Sequence, residues 1–147
     1  MQLKVKRLHP AAVLPRYATD GAACFDLHAV DCGLHSPVYA HGGVTFRTGL
    51  AFEVPPGFAL MIYSRSGHGF KNSTRLANCV GVIDSDYRGE VMVRLFRDGQ
   101  QADILCVNPG DRIAQAMLVQ VPQVQLIEVK KLGDTARGAG GFGSTGA

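Results

Sequence analysis

The chain has 147 residues, a net charge of +3, and 46% apolar against 18% charged residues. That length suits one domain that buries about two-thirds of its unfolded surface, and the composition excludes intrinsic disorder. The fifteen Lys and Arg form no run of five, and no stretch approaches the ~18 consecutive apolar residues of a membrane span, so neither nucleic acid nor membrane is an expected partner.

In chain order, Met1 to Pro10 carries Lys4, Lys6 and Arg7 without an apolar segment behind them, which predicts an unexported, cytoplasmic protein. Apolar residues alternate through Leu3 to Leu8, Phe25 to Ala29 and Val44 to Val54, as in strands with one face on a core. His41-Gly42-Gly43 and Pro55-Pro56-Gly57 supply tight reversals. Ala59 to Tyr63 is continuously apolar, the pattern of a strand covered on both faces. Ser66 to Ala77 is the one segment expected to be helical, weakened by Gly67 and Gly69.

Glu90 to Phe96 alternates again, and Asp98-Gly99 predicts a hairpin after it. Ile104 to Val107 and Ile113 to Val121 read as strands flanking the turn Asn108-Pro109-Gly110-Asp111, and Val124 to Val129 reads as a last alternating strand. Many short strands with little helix predict an all-β sandwich or barrel. Cys24, Cys32, Cys79 and Cys106 are widely spaced, and the five histidines form no ligand pattern, so reduced and mostly buried thiols are expected.

From Gly133 the chain becomes glycine-rich and cannot bury enough surface to fold alone, which divides it into a packed body, 1–132, and an arm, 133–147. Gly138-x-Gly140-x-x-Gly143 matches the dinucleotide fingerprint, but no helix and acidic residue can follow in a chain that stops at Ala147. A flexible linker is one reading of the arm. The other is a lid, in which Arg137 offers a bidentate fork to phosphate, glycine N–H groups approach oxygens, and Phe142 stacks on a base.

Two further segments carry candidate chemistry. Ser64-Arg65-Ser66-Gly67 follows an apolar strand and opens the expected helix, a place that favours an anion but also suits a solvated turn. In Gly81 to Glu90, Val82 and Ile83 are expected to drive a strand toward the core and to set Asp84 at the edge of a buried wall. There it could hold a water and take its proton, although the spacing alone equally allows a turn with solvated aspartates.

Gly81 to Glu90 resembles the third signature of the trimeric dUTPase family. Ala22 to Leu27 is similar to the first signature, Ser64 to Gly67 to the second, Gly110 to Gln115 to the fourth and Arg137 to Gly146 to the fifth, in the family's order along nearly the whole chain. Cys24 stands where the family usually has glycine, and Phe96-Arg97 replaces a hydrophobic-Asn pair.

The resemblance implies a distorted jelly roll assembled as a homotrimer, with three active sites at subunit interfaces. It also implies hydrolysis of dUTP to dUMP and pyrophosphate with Mg²⁺, an activity that limits uracil in DNA and supplies dUMP for dTMP synthesis. By similarity, Asp84 activates the water, and Asp26 acts on Mg²⁺ through its hydrating waters. Arg65, Ser66, Gly67 and Gln115 hold the phosphate chain. Asn78, Val82, Ile83 and Met92 form the uracil pocket, and Tyr87 lies under the sugar. Arg137, Phe142, Gly143 and Ser144 close from the arm.

Two rivals remain at this stage. A deoxycytidine triphosphate deaminase shares the broad fold, and a dUTPase-like nucleotide sensor could bind a protein partner.

Overall fold

Nine strands and one short helix are present in a computed structural model of the protein, which describes residues 1–32, 43–98, 107–144 and 146. The strands are β1 (Lys4–Arg7), β2 (Phe25–His28), β3 (Val44–Arg47), β4 (Leu50–Glu53), β5 (Phe58–Tyr63), β6 (Thr74–Leu76), β7 (Val80–Ile83), β8 (Met92–Arg97) and β9 (Arg112–Gln120), with α1 (Ser66–Asn72) between β5 and β6. They form three antiparallel sheets, β1-β4, β2-β9-β5-β7 and β3-β8-β6.

Alternation puts every second residue inside. Phe25 and Leu27 of β2, Val44 and Phe46 of β3, and Val93 and Leu95 of β8 are buried, with their neighbours turned outward. Together with Leu50, Phe52, Leu60, Leu76, Ile113 and Ala116 they make one core cluster. Each large side chain there contributes about 1.5–3 kcal/mol through removal from water. The intervening residues of the same strands, Asp26 and His28 in particular, face away from this core.

Several expectations are corrected. Val44 to Val54 is not one strand: it breaks at Thr48-Gly49, where Gly49 has φ +65°, so β3 and β4 enter different sheets. The helix stops at Asn72 because Ser73 turns left-handed at φ 48°, and the next residues become β6. Val82 points outward at 57% exposure, and only Ile83 packs against the core. Val124 to Val129 forms no strand; Val124, Leu126 and Ile127 are each more than 70% exposed.

Of the described cysteines, Cys32 and Cys79 are exposed, Cys24 is half-buried, and none is bonded to another. Pro55-Pro56-Gly57 and Asn108 to Asp111 turn as expected, closed by Phe58 N–H to Pro55 O at 3.2 Å and Asp111 N–H to Asn108 O at 3.0 Å. The hairpin at Asp98-Gly99, the strand Ile104 to Val107, the turn from His41 and Cys106 lie wholly or partly outside the described residues. No helix among the described residues is long and apolar enough to cross a membrane.

Gly49 is where three segments meet. Its C=O accepts from Leu8 N–H at 2.7 Å, its N–H donates to the Glu90 carboxylate at 2.8 Å, and an added Cβ would lie 2.8 Å from His9 Cβ and 2.9 Å from Ala12 Cβ. Left-handed strain of about 1–2 kcal/mol adds to overpacking of about 1–3 kcal/mol. Gly49→Ala should therefore lower the melting temperature by roughly 5–10 °C in a thermal scan; a shift under about 2 °C would show that the three segments separate easily.

Candidate active site

Three of the sequence segments converge on the outer face of one sheet. β2 lies beside β9 and β9 beside β5, with Asp26 opposite Gln115 and Gln115 opposite Tyr63. Asp26 therefore stands two strands from the end of β5, where the chain leaves the sheet as Ser64-Arg65. Arg65 Nε donates to Asp26 Oδ1 at 3.0 Å, and Arg112 Nη1 donates to Oδ2 at 3.3 Å. The Arg65–Asp26 pair is four-fifths shielded, where a charge-assisted hydrogen bond contributes about 1.5–3 kcal/mol. The Arg112 contact is worth less, since that side chain is half exposed.

Asp26 engages only Nε of Arg65, so its two terminal nitrogens keep donors for another acceptor. Gln115 Nε2 donates to Ser64 O at 2.9 Å, and Ser64 Oγ accepts Leu76 N–H at 2.9 Å, which fixes the chain just before the cradle. At the start of α1, Arg65 is the N-cap residue, and its carbonyl takes the His68 and Gly69 N–H groups. The preceding N–H groups, those of Ser66 and Gly67, have no helical partner and can meet an anion.

Arg112 was missed as a candidate in its own right. Its place next to Asp111 at the start of a strand was visible in the sequence, but its Asp26 partner lies 86 positions away. Two histidines also flank this region. Burial lowers the pKa of His28, and Arg112 and Arg65 add to this against the pull of Asp26; burial lowers that of His68, with Arg65 adding to it. Both are thus neutral near pH 7, and the site's positive charge rests on its arginines. Burial, and then Asp26, raise the Cys24 thiol's pKa, so it stays protonated and inert.

A second cluster lies elsewhere. β6 and β7 belong to different sheets, and the turn between them, Asn78-Cys79, crosses from one to the other. Cys79 is held at φ 64°, and Val80 N–H donates to Asn78 O at 2.7 Å. Gly81 permits the close approach of β7 to β5, because a Cβ there would lie 3.0 Å from Ile62 Cβ. Between β7 and β8 opens a cavity of about 320 Å³ whose walls include Asn78, Gly81, Val82, Ile83 and Met92. That is the lower end of small-molecule pocket sizes. Asp84 follows Ile83 directly and is exposed. Beyond it, Tyr87 is 42% exposed, with its N–H to Asp84 O at 3.3 Å and its hydroxyl donating to Glu90 O at 3.1 Å.

Within one chain these clusters stay apart. Ile83 pairs with Leu60 at one end of β5, while Ser64 leaves the other end. At about 3.3 Å per residue, Asp84 and the arginine cradle are separated by roughly 15 Å.

The arm forms a third, separate unit. Arg137 Nε donates to Gly140 O at 2.7 Å, Ser144 N–H to Gly141 O at 3.0 Å, and Phe142 is fully exposed at φ 51°. Gly143 is also left-handed, at φ 88°. The described hydrogen bonds of residues 137–146 run within the arm, and Lys131 Nζ donates to Asp134 at 3.0 Å where the arm leaves the body.

A family model described as dUTPase matches residues 11–146. The chain is 44% identical over 146 residues to the deoxyuridine 5'-triphosphate nucleotidohydrolase of Nautilia profundicola, covering 99% of each chain. It is 48% identical over 144 residues to the protein of that name from Hahella chejuensis, covering 96% of this chain and 91% of the other. A solved dUTPase of Staphylococcus bacteriophage 80alpha, 21% identical, superposes with a TM-score of 0.81 over 99% of both chains. The three antiparallel sheets are thus those of the distorted jelly roll.

Proposed function

The chain belongs to the dUTPase family and hydrolyses dUTP to dUMP and pyrophosphate; on that premise we propose that its active sites are assembled between the subunits of a homotrimer. The carrying observation is the roughly 15 Å between Asp84 and the Ser64–Gly67 cradle, set by their positions at opposite ends of β5. That spacing, together with uncovered apolar surface, favours a site in which one subunit holds the triphosphate and another delivers the water.

Exposed apolar surface supports association. Val82 and Met92 are 57% and 56% exposed, and Val124, Leu126, Ile127, Val129 and Leu132 lie uncovered just before the arm. In the trimer, one subunit supplies Asp26, Arg65, Ser66, Gly67 and Gln115, a second supplies the cavity with Asp84 and Tyr87, and the third supplies the arm. The packed body and the arm then divide the work, with the arm closing over the nucleotide.

Uracil enters the cavity between β7 and β8 and pairs with main-chain groups from Asn78 to Ile83. Cytosine would leave buried polar groups unpaired there, and Val82, Ile83 and Met92, which line the cavity, are placed to refuse the thymine methyl. Tyr87 lies under the deoxyribose, so a ribose 2′-hydroxyl would lose water without a partner, at about 1–3 kcal/mol. Asp84 accepts a proton from the water as its oxygen bonds to the α-phosphorus and the bridging P–O bond to the β-phosphate breaks. Pyrophosphate leaves with that oxygen. The free nitrogens of Arg65 and the N–H groups of Ser66 and Gly67 bind phosphate oxygens. Arg137 reaches the γ-phosphate, Phe142 stacks on the base, and Gly143 and Ser144 offer further N–H donors.

The donor chemistry also fits magnesium. No group of three or more metal-binding side chains exists among the described residues, but Mg²⁺ commonly needs only one or two carboxylates beside substrate phosphates, and Asp26 would be the residue to hold it, through water. When bound, it offsets the charge that develops on the triphosphate oxygens. The free thiols of Cys24, Cys32 and Cys79 suit work in the reducing cytoplasm.

The test is pyrophosphate release measured side by side on dUTP, dTTP, dCTP and UTP. dUTP should exceed each of the others in kcat/KM by at least about a hundredfold. Comparable rates on dUTP and dTTP would contradict the pocket assigned between β7 and β8. Ammonia release from dCTP would point to the deaminase reading instead.

A further inference from the structure

We infer that Gly89 and Glu90 are positioning residues for sugar selection, aiming the Tyr87 ring by a chain of contacts that begins in the core; this rests on the reading that Tyr87 faces the deoxyribose. Tyr87 itself has few restraints. It is exposed on a loop, and its ring is held at the far end by one hydrogen bond, from its hydroxyl to the backbone carbonyl of Glu90. Whatever fixes residue 90 therefore fixes the ring.

Glu90 is held unusually well for a loop residue. Its carboxylate is only 18% exposed, accepting Gly49 N–H on Oε1 at 2.8 Å and Arg47 Nε on Oε2 at 3.1 Å. Both partners belong to the β3–β4 junction, where Gly49 is packed so closely that its surroundings leave no space even for a methyl group. The next residue, Val91, is pinned to the same junction. Its N–H donates to Leu50 O at 2.8 Å, and its C=O accepts Thr48 Oγ1 at 2.6 Å from a side chain wholly buried. Position relayed from this junction thus reaches the Tyr87 hydroxyl through a single residue.

Gly89 supplies the second constraint. A Cβ at this position would lie 2.6 Å from Tyr87 Cζ and against its hydroxyl. Gly89 is not in the left-handed region, so alanine meets no backbone strain there. The three nearest atoms in its way all belong to the tip of the exposed Tyr87 ring, which can swing into solvent. A methyl group would therefore displace Tyr87 and break its bond to Glu90 O with little cost to the fold. Because Tyr87 N–H also donates to Asp84 O, the water-activating carboxylate sits on the same restrained loop.

The experiment measures kcat and KM for dUTP and UTP in Gly89→Ala, Glu90→Ala, Glu90→Gln and Tyr87→Ala, together with each protein's melting temperature. Gly89→Ala should melt within a few degrees of the wild type and lower the dUTP over UTP preference about tenfold, as expected of a misplaced contact. Glu90→Ala should lower it by a similar factor. Glu90→Gln, whose amide oxygen can still accept Gly49 N–H, should recover most of it. A merely structural role would depress both substrates alike and leave the ratio unchanged.

If Tyr87→Ala lowers the preference while Gly89→Ala and Glu90→Ala leave it at the wild-type value, this inference is overturned and the sugar reading stands. If Tyr87→Ala leaves the preference unchanged, both fall. Should Glu90→Ala fail to fold, Gly89→Ala decides the matter, since its methyl group meets only the movable ring.

Discussion

Replacing Asp84 by asparagine should reduce turnover of dUTP by about 10²- to 10⁴-fold, the usual worth of a positioned general base, while a non-hydrolysable dUTP analogue binds nearly as tightly as to the wild type. The separation of the two effects follows from where Asp84 sits. Its carboxylate is exposed and makes no hydrogen bond or ion pair among the described residues, so no fold contact is lost with the charge. Asparagine keeps the shape and can still hold a water through its oxygen, but it cannot take the proton. The comparison pairs pyrophosphate release under saturating dUTP with calorimetric titration of the analogue. Turnover within a few-fold of wild type would remove Asp84 from its assigned role, and equal losses in binding and turnover would make it a substrate contact instead.

Deleting residues 137–147 should leave a folded trimer that turns over dUTP at least about a hundredfold more slowly, through loss of the γ-phosphate contact and of exclusion of water. The fold should tolerate this because the described hydrogen bonds of the deleted residues, from Arg137 to Gly140 O and through the following turns, run within the arm. Removing them exposes no core residue and leaves no buried donor unpaired. Sedimentation should report the same mass ratio as for the intact protein, and the melting temperature should change little. Dissociation to monomers would mean that the arm belongs to the subunit contact and is not a lid.

The strands were legible wherever one face meets the core. β2 and β8 begin and end within a few residues of their alternating apolar patterns, and β5 and β9 within a few residues of their continuous apolar runs, since such patterns record which side chains leave water. β6 was not legible: Thr74–Leu76 is three residues long and was absorbed into the expected helix, because three residues carry no measurable period. β3 and β4 read as one strand because apolar alternation continues across Thr48-Gly49, although the backbone there turns into another sheet. Val124 to Val129 has the alternation of a strand, yet it pairs with nothing described in its own chain. A pattern states that a face seeks burial and does not say which molecule provides the cover.

For the site, the sequence by itself determined the chemical types: a carboxylate after an apolar strand at Asp84, a cationic fork at Arg65, a tyrosine within Gly81 to Glu90, and a glycine-rich arm carrying Arg137 and Phe142. Ordered spacing along the chain was enough to link them to one family. Only the tertiary structure decided their company. It joined Asp26 to Arg65 and Arg112 across three adjacent strands, and it tied Glu90 to Gly49 at a junction 41 residues earlier. It also set Asp84 toward the far end of β5 from Ser64–Gly67, which is the ground for the proposed assembly between subunits. The physical reason is that periodicity and turn preferences are local, whereas strand order and register depend on which core faces pack together.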